Sequence, residues 1–573
     1  MSTTSQDKHR TTSATIKSYL SILEWLPNYQ KGWLRGDVIA ALTVWALLVP
    51  EAMAYAGIAG MPPEAGLYAA PLALLGYAIF GTSRHLNVGP SSTVALLSAA
   101  FVGTVVIGST EDYITATVTL AILTGIVLII AGIFKLGVFA DFLSKPVLGG
   151  FVIGLAIIIA FGQLDKLLGY EVEAEGLIAE IVAIIRNLDQ LHVQTFVVGL
   201  TSLALLFLIE RFIPKLPGAI TVLFLAIIAS SLLDLESLGV HIVGDIPAGL
   251  PPIGLPGGIT PDQIRTLLPG AAAVALVGFV ESVAAARSYA TKFGYEVDAS
   301  QEMIALGAAN VGAGLSQGFV VDGSLSKTAA SVEAGAKSQM VSIIAAAIVV
   351  ITIVALTPLF HNLPEATLGA IVIHAVWHLI DFSKLRGYRR IKKVDYWAAM
   401  AALLGVLFLG ILPGLILAVT VSLTGLLLRA KSPRTAILGK LPDENTYRSM
   451  VHHPDAETYP GLLIFRFDED IFFANAPNFR DAVRADVATE PTTQWVLVDS
   501  ESIDDIDITA IDMLAELQDE LAESNIDLRF ARMKEDVREY LRRGRLEEKI
   551  GMEHFYPSIQ DGVDAYLAET DNE

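Results

Sequence analysis

The stretch Val321-Asp322-Gly323-Ser324-Leu325-Ser326-Lys327-Thr328 has the chemistry to hold an anion. Read as the start of a helix, it points unpaired backbone N–H groups and a positive dipole end at whatever lies in front of it. Gly323 permits close backbone approach, Ser324 and Ser326 add hydroxyl donors, and Lys327 adds positive charge one turn in. Gly89-Pro90-Ser91-Ser92-Thr93 offers a second such start, with Pro90 suited to a first helical position. Two of these ends facing each other make an anion site. The plainer reading is that they are packing glycines and serines at helix contacts.

Four further groups have types that matter. Glu281 sits in the apolar run Val277-Gly278-Phe279-Val280-Glu281-Ser282. A carboxyl there is costly in its charged form, so it is suited to carrying a proton or meeting a cation. Its structural alternative is a partner for Arg287 or Lys327. Glu51 follows Pro50, which is expected to break or kink its helix. Glu51 then either bonds freed backbone groups or shapes the site with Tyr55. Asp322 reads first as the N-cap of the half-helix, and second as a partner of Glu281 in holding a cation. His374 and His378 stand at i, i+4, the spacing of a metal pair, but no third ligand is evident. They are read as packed or interfacial, with no metal centre and no cofactor. No nucleotide loop, hydrolase elbow or other enzyme motif occurs.

The elements that must position these groups are membrane spans. Of 573 residues, 53% are hydrophobic and 17% charged. About fourteen apolar segments run between Asp37 and Arg429, and a bilayer core needs about 20 apolar residues per crossing helix. The segments Pro90–Val106 and Gly323–Gly335 are too short to span alone. Each stands third in its half of seven. Short, Gly/Pro-interrupted segments at matching positions point to an inverted repeat with its site between them. Basic residues (Lys135, Lys145, Arg211, Lys215, Arg287, Lys292 and the run from Lys384 to Lys393) alternate with acidic loops (Glu64, Glu111, Asp112, Asp234, Glu236, Asp245). The positive-inside rule then puts both termini in the cytoplasm. The polar start, Met1 to Arg10, lacks a cleavable signal, so the first span is expected to direct insertion.

The net charge of −21 is concentrated late in the chain, where residues 440–573 hold 13 Lys+Arg against 32 Asp+Glu. That argues against nucleic acid or anionic lipid as a partner of the tail. With no cysteine, disulfides, thiolate metal sites and cysteine nucleophiles are excluded. From Gly461 the pattern becomes α/β. Strands are predicted over Gly461–Phe467 and Trp495–Asp499, and helices over Ala476–Val487, Asp507–Glu523 and Val537–Arg545. The divisions are 1–35, an N-terminal segment; 36–430, the transport domain; 431–445, a linker with Pro433 and Pro442; and 446–573, a cytoplasmic α/β domain.

Over nearly its whole length the chain resembles the SulP sulfate-permease anion transporters. The resemblance rests on Pro50-Glu51-Ala52-Met53-Ala54-Tyr55-Ala56, Pro63-Glu64-Ala65-Gly66-Leu67-Tyr68, Gly81-Thr82-Ser83-Arg84 and Asn87-Val88-Gly89-Pro90. It continues in Glu281, Glu302-Met303-Ile304-Ala305-Leu306-Gly307 and Gly323-Ser324-Leu325-Ser326-Lys327-Thr328-Ala329. The tail resembles a STAS domain through Phe472-Phe473-Ala474-Asn475-Ala476 and Asp505-Ile506-Asp507-Ile508-Thr509-Ala510.

That resemblance implies a polytopic α-helical membrane protein of fourteen spans in seven-plus-seven inverted repeats. Spans 3 and 10 are half-helices, and a core bundle (spans 1–4 and 8–11) moves against a gate bundle, usually in a homodimer. It implies Ser91, Ser324, Leu325 and Ser326 as the lining of the anion site, with Glu51 and Tyr55 facing it. Glu281 takes the acidic position tied to proton coupling, or to sodium in bicarbonate-transporting relatives. Lys327 replaces a common arginine, keeping the charge but losing the planar fork. Asp322 replaces a commonly neutral residue, which leaves sodium open. Ala510 replaces a common glycine. Thr509 holds the position of a proposed phosphorylation site, although Asp504, Asp505 and Asp507 flank it and an unmodified cap is the plainer role.

The expected function is secondary active import of a small anion (sulfate, bicarbonate or a dicarboxylate) across the inner or plasma membrane. Proton coupling through Glu281 comes first. Sodium-coupled bicarbonate uptake or anion exchange is the alternative, and a receptor signalling through the STAS domain is the third reading. The expected partners are the anion, the coupling proton or sodium, the bilayer, a second copy of the chain and an unidentified cytoplasmic partner of the STAS domain.

Overall fold

The computed structural model describes residues 19–105, 109–137, 144–170, 177–213, 216–257, 260–442, 444 and 446–570. The N-terminal segment up to residue 18 and Lys215, both used in the sequence reading, lie outside them. The chain divides into two compact units, Met1–Ser422 and Leu423–Glu573.

The first unit is helical. Its first half contains α1 (Leu34–Ile58), α2 (Pro63–Phe80), the short strand β1 (Asn87–Gly89), α3 (Ser92–Val105), α4 (Thr110–Ile133), α5 (Lys145–Phe161), α6 (Val193–Phe212) and α7 (Gly218–Leu233). Its second half contains α8 (Pro261–Phe293), α9 (Ala299–Leu315), β2 (Asp322–Ser324), α10 (Leu325–Glu333), α11 (Met340–Ile351), α12 (Glu365–Trp377) and α13 (Lys393–Leu409); α14 (Ile411–Lys431) carries the chain onward. Among the described residues seven helical stretches, Thr110–Ile133 and Pro261–Phe293 among them, are long and apolar enough to cross a membrane. Ser92–Gly103 and Gly218–Leu233 are apolar but shorter.

Packing sorts these helices into two groups. Helices α1–α4 pack mainly with α8–α11, α5 mainly with α13, and α6 mainly with α12, while α7 packs on α6 and on α1 and α12 also touches α1. Small residues bring the backbones of the first group together. A Cβ on Gly125 of α4 would lie 2.6 Å from the Gly307 carbonyl oxygen of α9, and one on Gly307 would lie 2.7 Å from that of Gly125. Helix contact at that range substitutes van der Waals packing for a hydrophobic drive that lipid does not supply. Of the break or kink expected at Pro50, α1 shows no break: the proline lies inside a continuous helix. The backbone group it frees is buried in protein rather than exposed to lipid, the condition under which a spanning helix tolerates proline.

The second unit is an α/β layer structure around one sheet. Its strands are β3 (Thr435–Lys440), β4 (Tyr447–Ser449), β5 (Leu462–Phe467), β6 (Trp495–Asp499), β7 (Asp527–Ala531) and β8 (Phe555–Tyr556), in the order β4-β3-β5-β6-β7-β8. From β5 to β8 neighbours are parallel, whereas β3 is antiparallel to both β4 and β5. Helices α15 (Ala476–Thr489), α16 (Ile508–Glu523) and α17 (Glu535–Arg543) contribute to the apolar core with Phe465, Phe467 and Phe530. Helix α18 (Ile559–Thr570) packs with Leu462, Ile464 and Trp495 in a second cluster. The predicted strands and helices fall within a few residues of these. One expectation needs correction. Residues read as linker contain β3, with Pro433 and Pro442 outside the strand, where neither removes a ladder hydrogen bond.

Candidate functional site

The two short segments meet. β1 and β2 pair antiparallel, with Asn87 opposite Ser324, Val88 opposite Gly323 and Gly89 opposite Asp322. Each strand leads into a half-length helix, α3 or α10, so both helices start from one small ladder. The pairing answers a physical demand: extended backbone within an apolar bundle must have its polar groups satisfied. Side chains complete that accounting. Asn310 of α9 accepts from the Val321 N–H at 3.0 Å and donates to the Val321 carbonyl at 2.8 Å, and the Ser282 hydroxyl accepts from the Gly323 N–H at 2.7 Å. The Thr328 hydroxyl accepts from the Asn87 N–H at 3.0 Å. An added Cβ at Gly323 would lie 2.8 Å from a Leu86 methyl and 3.0 Å from the Ser282 Cβ, so both side chains would have to give way.

Upstream of β1, the loop is held by a buried carboxylate. Glu302 of α9 accepts from the Tyr77 hydroxyl (2.6 Å), from both the N–H and the hydroxyl of Thr82 (2.7 Å each) and from the Ser83 N–H (3.2 Å). Gln339 donates to the Ser83 and Leu86 carbonyls. The sequence reading did not single out Asn310, Ser282, Thr328 or Gln339 as site residues. Asn310 and Ser282 were detectable as hydrogen-bonding residues inside spanning helices, where such groups need partners.

At the start of α10, Ser324 is the N-cap, its hydroxyl accepting from the Lys327 N–H at 3.3 Å. This corrects the reading of Asp322 as cap: Asp322 lies in β2, committed to the ladder two residues too early. Ser324 and Ser326 hydroxyls are 3.1 Å apart. Leu325 and Ser326 are exposed, so this end is open, whereas Lys327 is buried. The Lys327 ammonium reaches across to Glu51 Oε2 and to the Pro90 carbonyl, both at 3.0 Å, and stands 5.7 Å from the centre of the Tyr55 ring. One lysine thereby joins α10, α1 and the segment between β1 and α3. Glu51 bonds this lysine, not a backbone group freed by Pro50.

On the other side of β2, the Glu281 carboxyl of α8 interacts with the Thr93 hydroxyl and with Asp322. Asp322 faces Ser91 as well as Glu281. It is 1% exposed, and among the described residues neither of its oxygens has a partner in hydrogen-bond geometry; the Ser91 hydroxyl oxygen is likewise without one. The fold thus gathers Glu51, Tyr55, Ser91, Glu281, Asp322, Ser324 and Lys327 around the paired half-helices, with Leu325 and Ser326 at the open end. His374 and His378 lie elsewhere, on and just beyond α12, where Glu210 of α6 meets both. In the second unit, Thr509 is exposed in the first turn of α16. Asp507, not Thr509, caps that helix, accepting from the Ala510 N–H at 2.8 Å.

The sulfate permease family model matches residues 34–402, well over half of the chain, and the STAS domain model matches residues 453–562. The chain belongs to the sulfate permease family. This permease is 38% identical over 551 residues to a probable sulfate transporter of Mycobacterium tuberculosis, covering 95% of this chain and 98% of that one. It is 33% identical over 577 residues to sulfate transporter 1.1 of Arabidopsis thaliana, covering 96% and 88% respectively. The permease shares its fold with the murine Slc26a9 anion transporter solved in an inward-facing state (TM-score 0.89, 24% identity, 97% of this chain and 95% of that one). The transmembrane domain of the cyanobacterial bicarbonate transporter BicA matches with a TM-score of 0.60 at 24% identity, covering 68% of this chain and 98% of that one. The permease is therefore an integral membrane transporter of anions with a C-terminal STAS domain, and not an enzyme.

Proposed function

We propose that this permease imports a small oxyanion, sulfate first, by proton symport, with the anion held between the starts of α3 and α10. The observation that carries the reading is the β1–β2 ladder, which aims two half-helix starts at one place with Ser91, Ser324 and Ser326 beside them. Backbone N–H groups, hydroxyls and a helix dipole recognise negative charge and size. Sulfate comes ahead of bicarbonate or a dicarboxylate because both relatives named above are sulfate transporters by name. Glu281 beside Asp322 supplies the proton carrier, since two neighbouring buried carboxyls readily share one proton. The packing of α1–α4 with α8–α11, met by the other helices chiefly where α7 and α12 lie on α1, supports an elevator-like cycle in which that group moves past the rest. We place the protein in the inner or plasma membrane as a homodimer, with both termini and the STAS domain in the cytoplasm.

Sodium coupling is the second reading, and one observation favours it. The unpartnered Asp322 oxygens, with Glu281, Ser91 and Thr93 nearby, are oxygen groups of the kind that bind hard cations. Purified permease in proteoliposomes separates these readings. Uptake of labelled sulfate, bicarbonate and fumarate is measured under an imposed proton gradient, an imposed sodium gradient, or internal anion alone. Sulfate accumulation driven by protons supports the proposal; a strict sodium requirement transfers coupling to the second reading. Uptake that needs only internal anion makes the protein an exchanger.

Regulation is proposed at Thr509, whose neighbours around a surface cavity include Arg480, Asp512 and Glu516. Arg480 could pair with a phosphate there, while the two carboxylates oppose one. Phosphate found on Thr509 by peptide mass spectrometry of protein from its native membrane supports that role, and full occupancy by unmodified threonine sinks it.

A further inference from the structure

The geometry points to a binding site for a divalent transition metal, Zn²⁺ by its chemistry, formed by Glu210, His374 and His378 and tying α6 to α12. His374 and His378 are one helical turn apart, so their rings project from the same face; the ring centres are 5.5 Å apart. Helix α6 packs along α12 and delivers Glu210 between them. Glu210 Oε2 lies 2.8 Å from His374 Nε2 and 3.3 Å from His378 Nε2, and the three candidate ligand atoms are all within 4.8 Å of one another. Tetrahedral zinc, with bonds of about 2.0–2.2 Å to nitrogen and carboxylate oxygen, needs its ligand atoms about 3.3 Å apart. The cluster is therefore within a small side-chain adjustment of a coordinating arrangement.

The ligand types choose the metal class. Two imidazoles and one carboxylate suit zinc and its neighbours, whereas magnesium and calcium prefer all-oxygen sets. The His374 ring is braced edge-on against Phe207 of α6, at 4.9 Å between centres, which limits its freedom before any metal arrives. His378 and Glu210 are half-exposed, so an ion can enter from solvent and keep water as a fourth ligand. The site is separate from the anion site, although α12 also packs on α1, which carries Glu51 and Tyr55. A metal here would lock α6 and α12 in register.

The test uses full-length, tag-free permease in detergent, stripped with chelator and then titrated with Zn²⁺ by calorimetry and with Co²⁺ by visible absorption. The proposal expects one saturable site per chain, tetrahedral Co²⁺ bands, and a thermal midpoint that rises with Zn²⁺. Even loss of a group supporting a ligand costs 10–100-fold in metal affinity, so loss of a ligand itself in His378→Ala or Glu210→Gln should weaken binding by about 100-fold or more. It should also abolish the thermal shift. His378 is half-exposed, so its variant should keep the metal-free midpoint; if it does not, His378→Gln makes the same measurement. Binding unchanged in both variants would overturn the assignment and move the metal elsewhere, for example to His452 and His453, adjacent in sequence in the second unit. Absence of saturable binding would overturn the assignment and leave Glu210 as only a hydrogen-bond partner of His374 with His378 beside it.

Discussion

Lys327→Met should cut sulfate uptake into proteoliposomes by about 100-fold and lower the thermal midpoint of the purified permease. The lysine is 1% exposed and holds Glu51 and the Pro90 carbonyl, each at 3.0 Å. Removing one partner of a buried pair costs about 3–5 kcal/mol, because the charge left behind is desolvated with nothing to meet it. A loss of about 3 kcal/mol corresponds to about 100-fold in an equilibrium. The double variant Glu51→Gln with Lys327→Met separates two roles for the lysine. Taking both charges away should restore most of the thermal midpoint. Uptake should stay low if the ammonium also lends positive potential to the anion at the start of α10. Wild-type uptake by the double variant would show the pair to be a structural clamp and nothing more.

The second large effect is expected from Glu281→Gln. Glutamine keeps the shape and a hydrogen bond to Thr93 but cannot load and release a proton. With the membrane potential clamped, a gradient of one pH unit carries about 1.4 kcal/mol per proton, or about tenfold accumulation for each proton moved with the anion. The wild type should reach that ratio, while the variant should equilibrate at unity and still exchange internal for external sulfate. Loss of exchange as well would mean that the substitution had damaged the anion site itself. Tenfold accumulation by the variant would remove Glu281 from the coupling path and pass the role to its neighbour Asp322.

Much of this was legible in the sequence because it is local. Ser324, Ser326 and Gly323 sit in one run of residues, and their types announce a helix start. The strands Leu462–Phe467 and Trp495–Asp499 are short apolar runs bounded by turn residues, so they too could be read directly. What escaped was carried by partners distant along the chain. Nothing near Glu51 indicates that its counter-charge is Lys327, and nothing near His378 names Glu210. A three-residue ladder is too short to leave a periodic signal, so the pairing of Asn87–Gly89 with Asp322–Ser324 was not expected. Asp322 was misread as a cap because the helix start was placed two residues early. The strand Thr435–Lys440 was hidden by the prolines on either side of it, which made a structured segment look like a tether.

The ladder also bears on how the protein is made. Its two strands belong to opposite halves of the chain, and neither can satisfy its backbone alone in a lipid setting. A ribosome feeding the first half into a membrane therefore delivers Asn87–Gly89 without its mate, and that edge must wait, shielded by the insertion machinery or by water, until residues 322–324 emerge. The proposed anion site is then among the last features to form during biogenesis, and neither half synthesised by itself would contain the ladder it rests on.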